Sequence, residues 1–141
     1  MASQNHQTLE AMWETLSTYN SQTPDSTIQE YTEFFTPTAT VYLSGMGQPP
    51  TTSHESLIVG LKTILTYYTH VDRKVIVHTE GEDGTIVNAM ENKITILGEL
   101  IEGFAECEVV TFKEGKIEGY RLYVDPAPIM AIFAKKTEEQ K

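Results

Sequence analysis

The chain has 141 residues, 40% hydrophobic and 21% charged, the composition of one globular domain with enough apolar material for a core. Its 20 acids against 10 bases give a net charge of −10 with no basic cluster, which argues against nucleic acid and anionic membrane surfaces as partners. Cys107 is the only cysteine, so no internal disulfide can form, and a reducing compartment is expected.

The start, MASQNHQTLE, has neither a basic nor an apolar leader region. Apolar runs fall far short of the roughly 20 residues that span a bilayer. A cytoplasmic protein of one domain, 1–141, is the expectation. Leu9, Met12, Trp13, Leu16 and Tyr19 recur at helical spacing and predict a first helix over about 7–20. Pro24 stops it. Asp25 or Ser26 can cap a second helix over about 26–35 that carries Ile28, Tyr31, Phe34 and Phe35 and ends at Pro37. A short strand, Ala39 to Leu43, leads into a loop, Gly45-Met-Gly-Gln-Pro-Pro50. Ser53, without a full capping box, is the expected N-cap of a third helix over about 54–68.

Strands follow, over about 73–80, 85–97, 101–112 and 116–125. Helices first and a strand meander afterwards is an α+β pattern. In the last turn, Phe112-Lys-Glu-Gly-Lys116, the glycine position suits a three-residue hairpin with a bulge. That register pairs Glu108 with Tyr120 and Glu106 with Leu122. A two-residue turn would instead set Glu108 against Arg121. Under the first register Phe104, Glu106, Glu108, Val110, Tyr120, Leu122 and Val124 share one face. Ala105, Cys107, Val109, Thr111, Ile117, Arg121 and Tyr123 share the other.

Two carboxylates on a largely apolar face have two explanations. Either helices cover the face and the acids serve a pocket, or the face is open and the acids are solvated. In a pocket, desolvation raises a carboxyl pKa, so Glu108 first and Glu106 second are candidate general acids or bases, with Tyr120 as an orienting or oxyanion-stabilising phenol. Asn88 and Asn92 interrupt an apolar row in the strand 85–97 and are candidate ligand contacts, although backbone groups could satisfy them equally. Trp13 and Tyr31 are candidate pocket wall, and ordinary core residues otherwise. His6, His54, His70 and His78 lack metal-ligand spacing, so no metal is expected. No nucleotide-binding glycine loop and no G-x-S-x-G is present.

Two stretches carry a resemblance. Phe34-Phe-Thr-Pro-Thr-Ala-Thr-Val-Tyr-Leu43 resembles the helix-end and first-strand signature of SnoaL-like domains in the NTF2-like superfamily. Phe112-Lys-Glu-Gly-Lys-Ile117 followed by Tyr120-Arg-Leu-Tyr-Val-Asp125 resembles their terminal hairpin. The resemblance implies a cone, three N-terminal helices packed on a strongly curved antiparallel sheet around an apolar cavity. It further implies homodimers through the convex sheet face and chemistry without metal or organic cofactor. Its known activities include ketosteroid isomerisation, epoxide hydrolysis, dehydration, aldol cyclisation of polyketides, and isomerisation or cyclisation of fungal meroterpenoids.

Residue by residue, the ketosteroid isomerase base falls on Leu43, which cannot take a proton, and the oxyanion acid falls on Glu108. In limonene-epoxide hydrolase the paired Arg and Asp fall near Glu91 and Lys93, and the last-strand Asp falls on Leu122, so that triad is absent. Leu43 and Leu122 are then expected as substrate-contacting wall. The function expected is a cofactor-independent isomerase, cyclase or lyase acting by acid–base catalysis on a mid-sized apolar metabolite of specialised metabolism. A non-catalytic small-molecule binder of the same fold, or an accessory protein working through its convex face, are the alternatives.

Overall fold

A computed structural model describes residues 2–140. The chain runs α1 (Gln4–Leu16), α2 (Asp25–Tyr31), a 3-10 turn (Thr32–Phe34), β1 (Phe35–Ser44), α3 (His54–Leu65), β2 (Tyr68–Asp72), β3 (Val75–Glu80), β4 (Ile86–Ile96), β5 (Glu99–Lys113), β6 (Lys116–Val124) and α4 (Ala127–Glu139). Strand order is β1-β6-β5-β4-β2, with β3 also pairing β4. The sheet curls into a half-barrel around the helices. The α+β cone is therefore present, with two departures. The sheet is mixed, because β1 runs parallel to β6, and a fourth helix follows the last strand.

Local chemistry explains the boundaries. Ser3 accepts a hydrogen bond from the His6 amide at 3.0 Å and starts α1 three residues earlier than the periodicity predicts. The second helix stops at Tyr31, and Phe35 already belongs to β1. Pro37 sits in the irregular stretch between the pairs Phe35–Ile117 and Thr40–Gly119, where a missing N–H is tolerated. Ser53 caps α3 after all with a reciprocal box, Ser56 standing in for the usual glutamate. α3 ends at Leu65 because Thr66-Tyr-Tyr-Thr-His-Val71 reverts to the alternation of a strand.

The terminal hairpin corrects the expected register. Lys113 pairs with Lys116 around a two-residue turn in which Glu114 and Gly115 have φ of 51° and 81°. A bulge then leaves Glu118 unpaired, since Phe112 faces Ile117 but Thr111 faces Gly119. Glu108 consequently pairs with Leu122 and Glu106 with Val124. The shift from the expected pairing is two residues, so both acids keep their face. Ile117, on the turn side of the bulge, is inward and buried rather than outward. A left-handed glutamate is strained where asparagine is not. Glu114→Asn is expected to raise stability by about 0.5–1 kcal/mol, measured by denaturant midpoint.

Inward residues of β4, β5 and β6 meet α1, α2 and α3 in the main core, which includes Leu9, Met12, Trp13, Leu16, Phe35, Leu61, Ile86, Met90, Val110 and Ile117. α4 closes a second cluster with Ile64, Tyr68, Ile94, Ile96, Phe104 and Ile129. Leu43 and Val124 touch both clusters. Among the described residues no helix is long and apolar enough to cross a membrane.

Candidate active site

Glu108 and Glu106 project from β5 into the space under the helices, 0% and 5% exposed. Their surroundings differ. The Glu108 carboxylate is saturated. Oε1 accepts from Trp13 Nε1 and from the Tyr120 hydroxyl, each at 2.8 Å. Oε2 accepts from Asn88 Nδ2 at 2.8 Å and from Arg73 Nη2 at 2.9 Å. Arg73 enters through the gap between β2 and β3. Its guanidinium stacks 4.9 Å from the Trp13 ring and also pairs with Glu10 at 3.0 Å. Burial of that guanidinium opposes its charge, but Glu108 and Glu10 outweigh burial and raise its pKa. Asn88 is gripped from behind, with His78 Nδ1 2.7 Å from its Oδ1.

Glu106 is held loosely by comparison. Asn92 Nδ2 donates to its Oε1 at 3.0 Å, and Asn92 is itself fixed by the Lys74 amide at 3.0 Å. Among the described residues no group bonds its Oε2. Glu106 lines an apolar cavity holding about 800 Å³ of atom-free space, counted out to and including the open mouth. Burial raises its pKa to about 7; the Asn92 bond lowers it, the Glu108 charge raises it and Arg73 lowers it.

The cavity wall includes Trp13, Tyr31, Leu43, Phe104, Tyr120 and Leu122, with Met46, Gln48 and Pro49 at the loop end. Two phenols of this wall, Tyr31 and Tyr68, make no hydrogen bond with the described residues. Both are buried, and both pKa values are raised by desolvation, so each keeps its O–H as a donor. The Glu106 charge raises the Tyr68 pKa further, and both side chains line the same cavity.

The structure thus reassigns several expected roles. Glu108 does not line the cavity, and its four donors leave it no capacity to accept a substrate proton. Tyr120 is wall, but its proton is donated to Glu108. Asn88 and Asn92 do not reach the cavity; they orient Glu108 and Glu106. Two residues escaped the sequence reading. The expected third helix, over about 54–68, takes in Tyr68, and the expected strand over about 73–80 begins at Arg73. Arg73 did have a signal, since the chain has only two arginines and a buried charged carboxylate favours a cationic partner.

His70 is buried against Trp13, with ring centroids 4.8 Å apart, and burial lowers its pKa to about 4, Arg73 lowering and Asp72 raising it further. His54 ties α3 to β1 through the Phe35 and Thr36 carbonyls, at 3.1 Å each. Among the described residues no cluster of His, Cys, Asp and Glu could hold a metal ion.

A curled sheet wrapped by helices over an apolar hollow defines the class: this chain has the NTF2-like fold. No family model matches its sequence, and no curated protein sequence does. Solved structures match its fold. An NTF2-like protein of unknown function from Burkholderia pseudomallei superposes with a TM-score of 0.73 at 15% identity, covering 92% of this chain and 97% of that one. A putative isomerase from Bacillus subtilis gives 0.77 at 14% identity, covering 93% of each chain. A putative polyketide cyclase from Xanthomonas campestris pv. campestris gives 0.72 at 12% identity, covering 91% and 95%. Identities this low establish the fold alone.

Proposed function

We propose that this protein is a cofactor-independent isomerase or cyclase that moves a proton on a mid-sized apolar metabolite of specialised metabolism. The observation that carries this is Glu106, a carboxyl with pKa about 7 and one uncommitted oxygen in an apolar cavity. A base whose pKa matches the working pH transfers protons most effectively. Glu106 Oε2 takes the proton from a carbon beside a carbonyl, and the electron pair moves to the carbonyl oxygen. The hydroxyl of Tyr68 or Tyr31, both on the cavity wall, receives that oxyanion. Neutral Glu106 then returns the proton to another carbon, which isomerises the molecule. Alternatively, the enolate carbon attacks a second carbonyl and the new alkoxide takes the proton, which closes a ring. The solved neighbours with names of this kind support the class and leave the substrate open.

A panel of β,γ-unsaturated ketones, followed by absorbance of the conjugated product, tests the reading. Glu106→Gln should lower kcat at least about 100-fold, and wild-type kcat/KM should rise with pH through about 7. Turnover unchanged in Glu106→Gln would sink the proposal. One observation favours a non-catalytic binder instead: Glu108 is salt-bridged and outside the cavity, as a structural acid would be. Binding without turnover across the panel is the outcome that favours it.

The setting we propose is a cytoplasmic homodimer. On the outer sheet face Val77 and Tyr123 are 57% and 42% exposed, with Cys107 half-buried between them in the same row. Light scattering should give twice the 15.8 kDa chain mass, and Tyr123→Lys should halve it.

A further inference from the structure

Four residues of the cavity wall, Gln48, Pro49, Thr51 and Gly60, also line a depression on the outside of the molecule. That depression continues over Pro50, Glu55 and Val59, between the loop and the N-terminal half of α3. The two spaces share these four residues, so the groove borders the cavity.

Gly60 is the unexpected residue on that rim. In a helix interior glycine is about 1 kcal/mol worse than alanine. Its backbone does not call for it, since its φ is not positive. Packing does not call for it either: a Cβ there would meet nothing closer than Thr51 Cγ2 at 3.5 Å, an ordinary contact. What glycine supplies is a rim without a side chain, since anything longer than a methyl at this position would have to crowd past Thr51.

The rim also carries polar groups lacking partners. Thr51 Oγ1 is buried with no hydrogen bond. Its backbone is pinned to Val41 by two 2.9 Å bonds, which holds the side chain at the rim. The Gln48 amide makes no hydrogen bond with the described residues. Ser53 and Ser56 are committed to the α3 cap. Glu55 and the net charge of −10 disfavour an anion here.

We propose that this groove is a second subsite, for the polar, uncharged end of a ligand whose apolar body fills the cavity. The substrate is then an elongated amphiphile with a hydroxyl-rich group, such as a sugar or polyol, at the end remote from Glu106. This rests on the cavity being the ligand site and adds the class of molecule it takes.

Trp13 is the only tryptophan and lines the cavity, so its fluorescence reports occupancy. The probes are 1-octanol and octyl β-glucoside below its micelle concentration. Both should shift Trp13, the glucoside binding about tenfold more tightly. Gly60→Leu should bring the ratio of glucoside to octanol affinity to about one, whatever it does to octanol alone, and Gly60→Ala should keep the ratio. Thr51→Val, which leaves α3 untouched, should also reduce the advantage and serves if the leucine variant does not fold. Equal affinity of the two probes for wild type, or an advantage that survives both Gly60→Leu and Thr51→Val, overturns the groove and leaves the cavity reading standing. No response of Trp13 to either probe overturns both.

Discussion

Replacing Glu106 by glutamine is expected to stabilise the protein at about pH 8.5, relative to its effect at about pH 5, by about 3 kcal/mol. The cause is burial. Glu106 is 5% exposed, and its pKa rises from 4.5 to about 7 on folding. Below 4.5 the folded and unfolded chains are both protonated and no penalty exists. As pH climbs from 4.5 to 7 the unfolded chain releases its proton first, so wild-type stability falls, and the loss is complete above 7. Glutamine keeps an oxygen for Asn92 and does not titrate. His70 acts with the opposite sign: its folded pKa of about 4 lies below 6.5, so stability falls as pH drops through that window. Both proteins carry His70, and its effect cancels in their difference. Urea unfolding of the pair across this range is the measurement. Parallel stability curves would mean that Glu106 titrates as an ordinary exposed carboxyl, and its role as a base at neutral pH would go with it.

How far the sequence foretold this site depends on which residue is asked about. In β4 the alternation groups Ile86, Asn88, Met90, Asn92, Ile94 and Ile96 on one face, and in the structure all six are at most 1% exposed. Glu106 and Glu108 stay on the same apolar face as expected despite a wrong register, because a slip of two preserves the face while a slip of one reverses it; alternation alone leaves open whether that face is covered. Ile117 was misplaced for the same reason: the bulge at Glu118 inserts a single residue. Alternation gives the face but not the neighbours. Which acid receives a cation was settled by Arg73, 35 positions away, and by Trp13, 95 positions away, and no local pattern reports contacts at that separation. Tyr68 was lost because the handover from helix to strand lies within Leu65-Thr-Tyr-Tyr68, where aromatic residues suit either period. The fourth helix begins at Pro126-Ala-Pro128, two prolines that suggest a loop although proline is favoured in a first helical turn.

Arg73→Met is expected to cost about 3–5 kcal/mol, because it leaves the Glu108 charge buried without a cation. Glu108 is 0% exposed and the Arg73 side chain 9%, so water does not compensate. The three neutral donors, Trp13, Tyr120 and Asn88, remain, yet they cannot supply a countercharge. Glu10 provides the internal comparison. Its side chain is 41% exposed in the same pair with Arg73, so Glu10→Gln should cost under about 1 kcal/mol. Adding Glu108→Gln to Arg73→Met should recover most of the loss, since the unpaired charge is then gone while an acceptor for Trp13 and Tyr120 remains. The same arginine lowers the pKa of Glu106, so its removal should move the rising limb of the pH–rate profile to higher pH. A stability loss without that displacement would make Arg73 a purely structural partner of Glu108, and a displacement without the loss would place the countercharge of Glu108 elsewhere. Both together are what a charged layer behind the cavity requires: it holds the wall in place and sets the proton affinity of Glu106, the acid on the cavity wall.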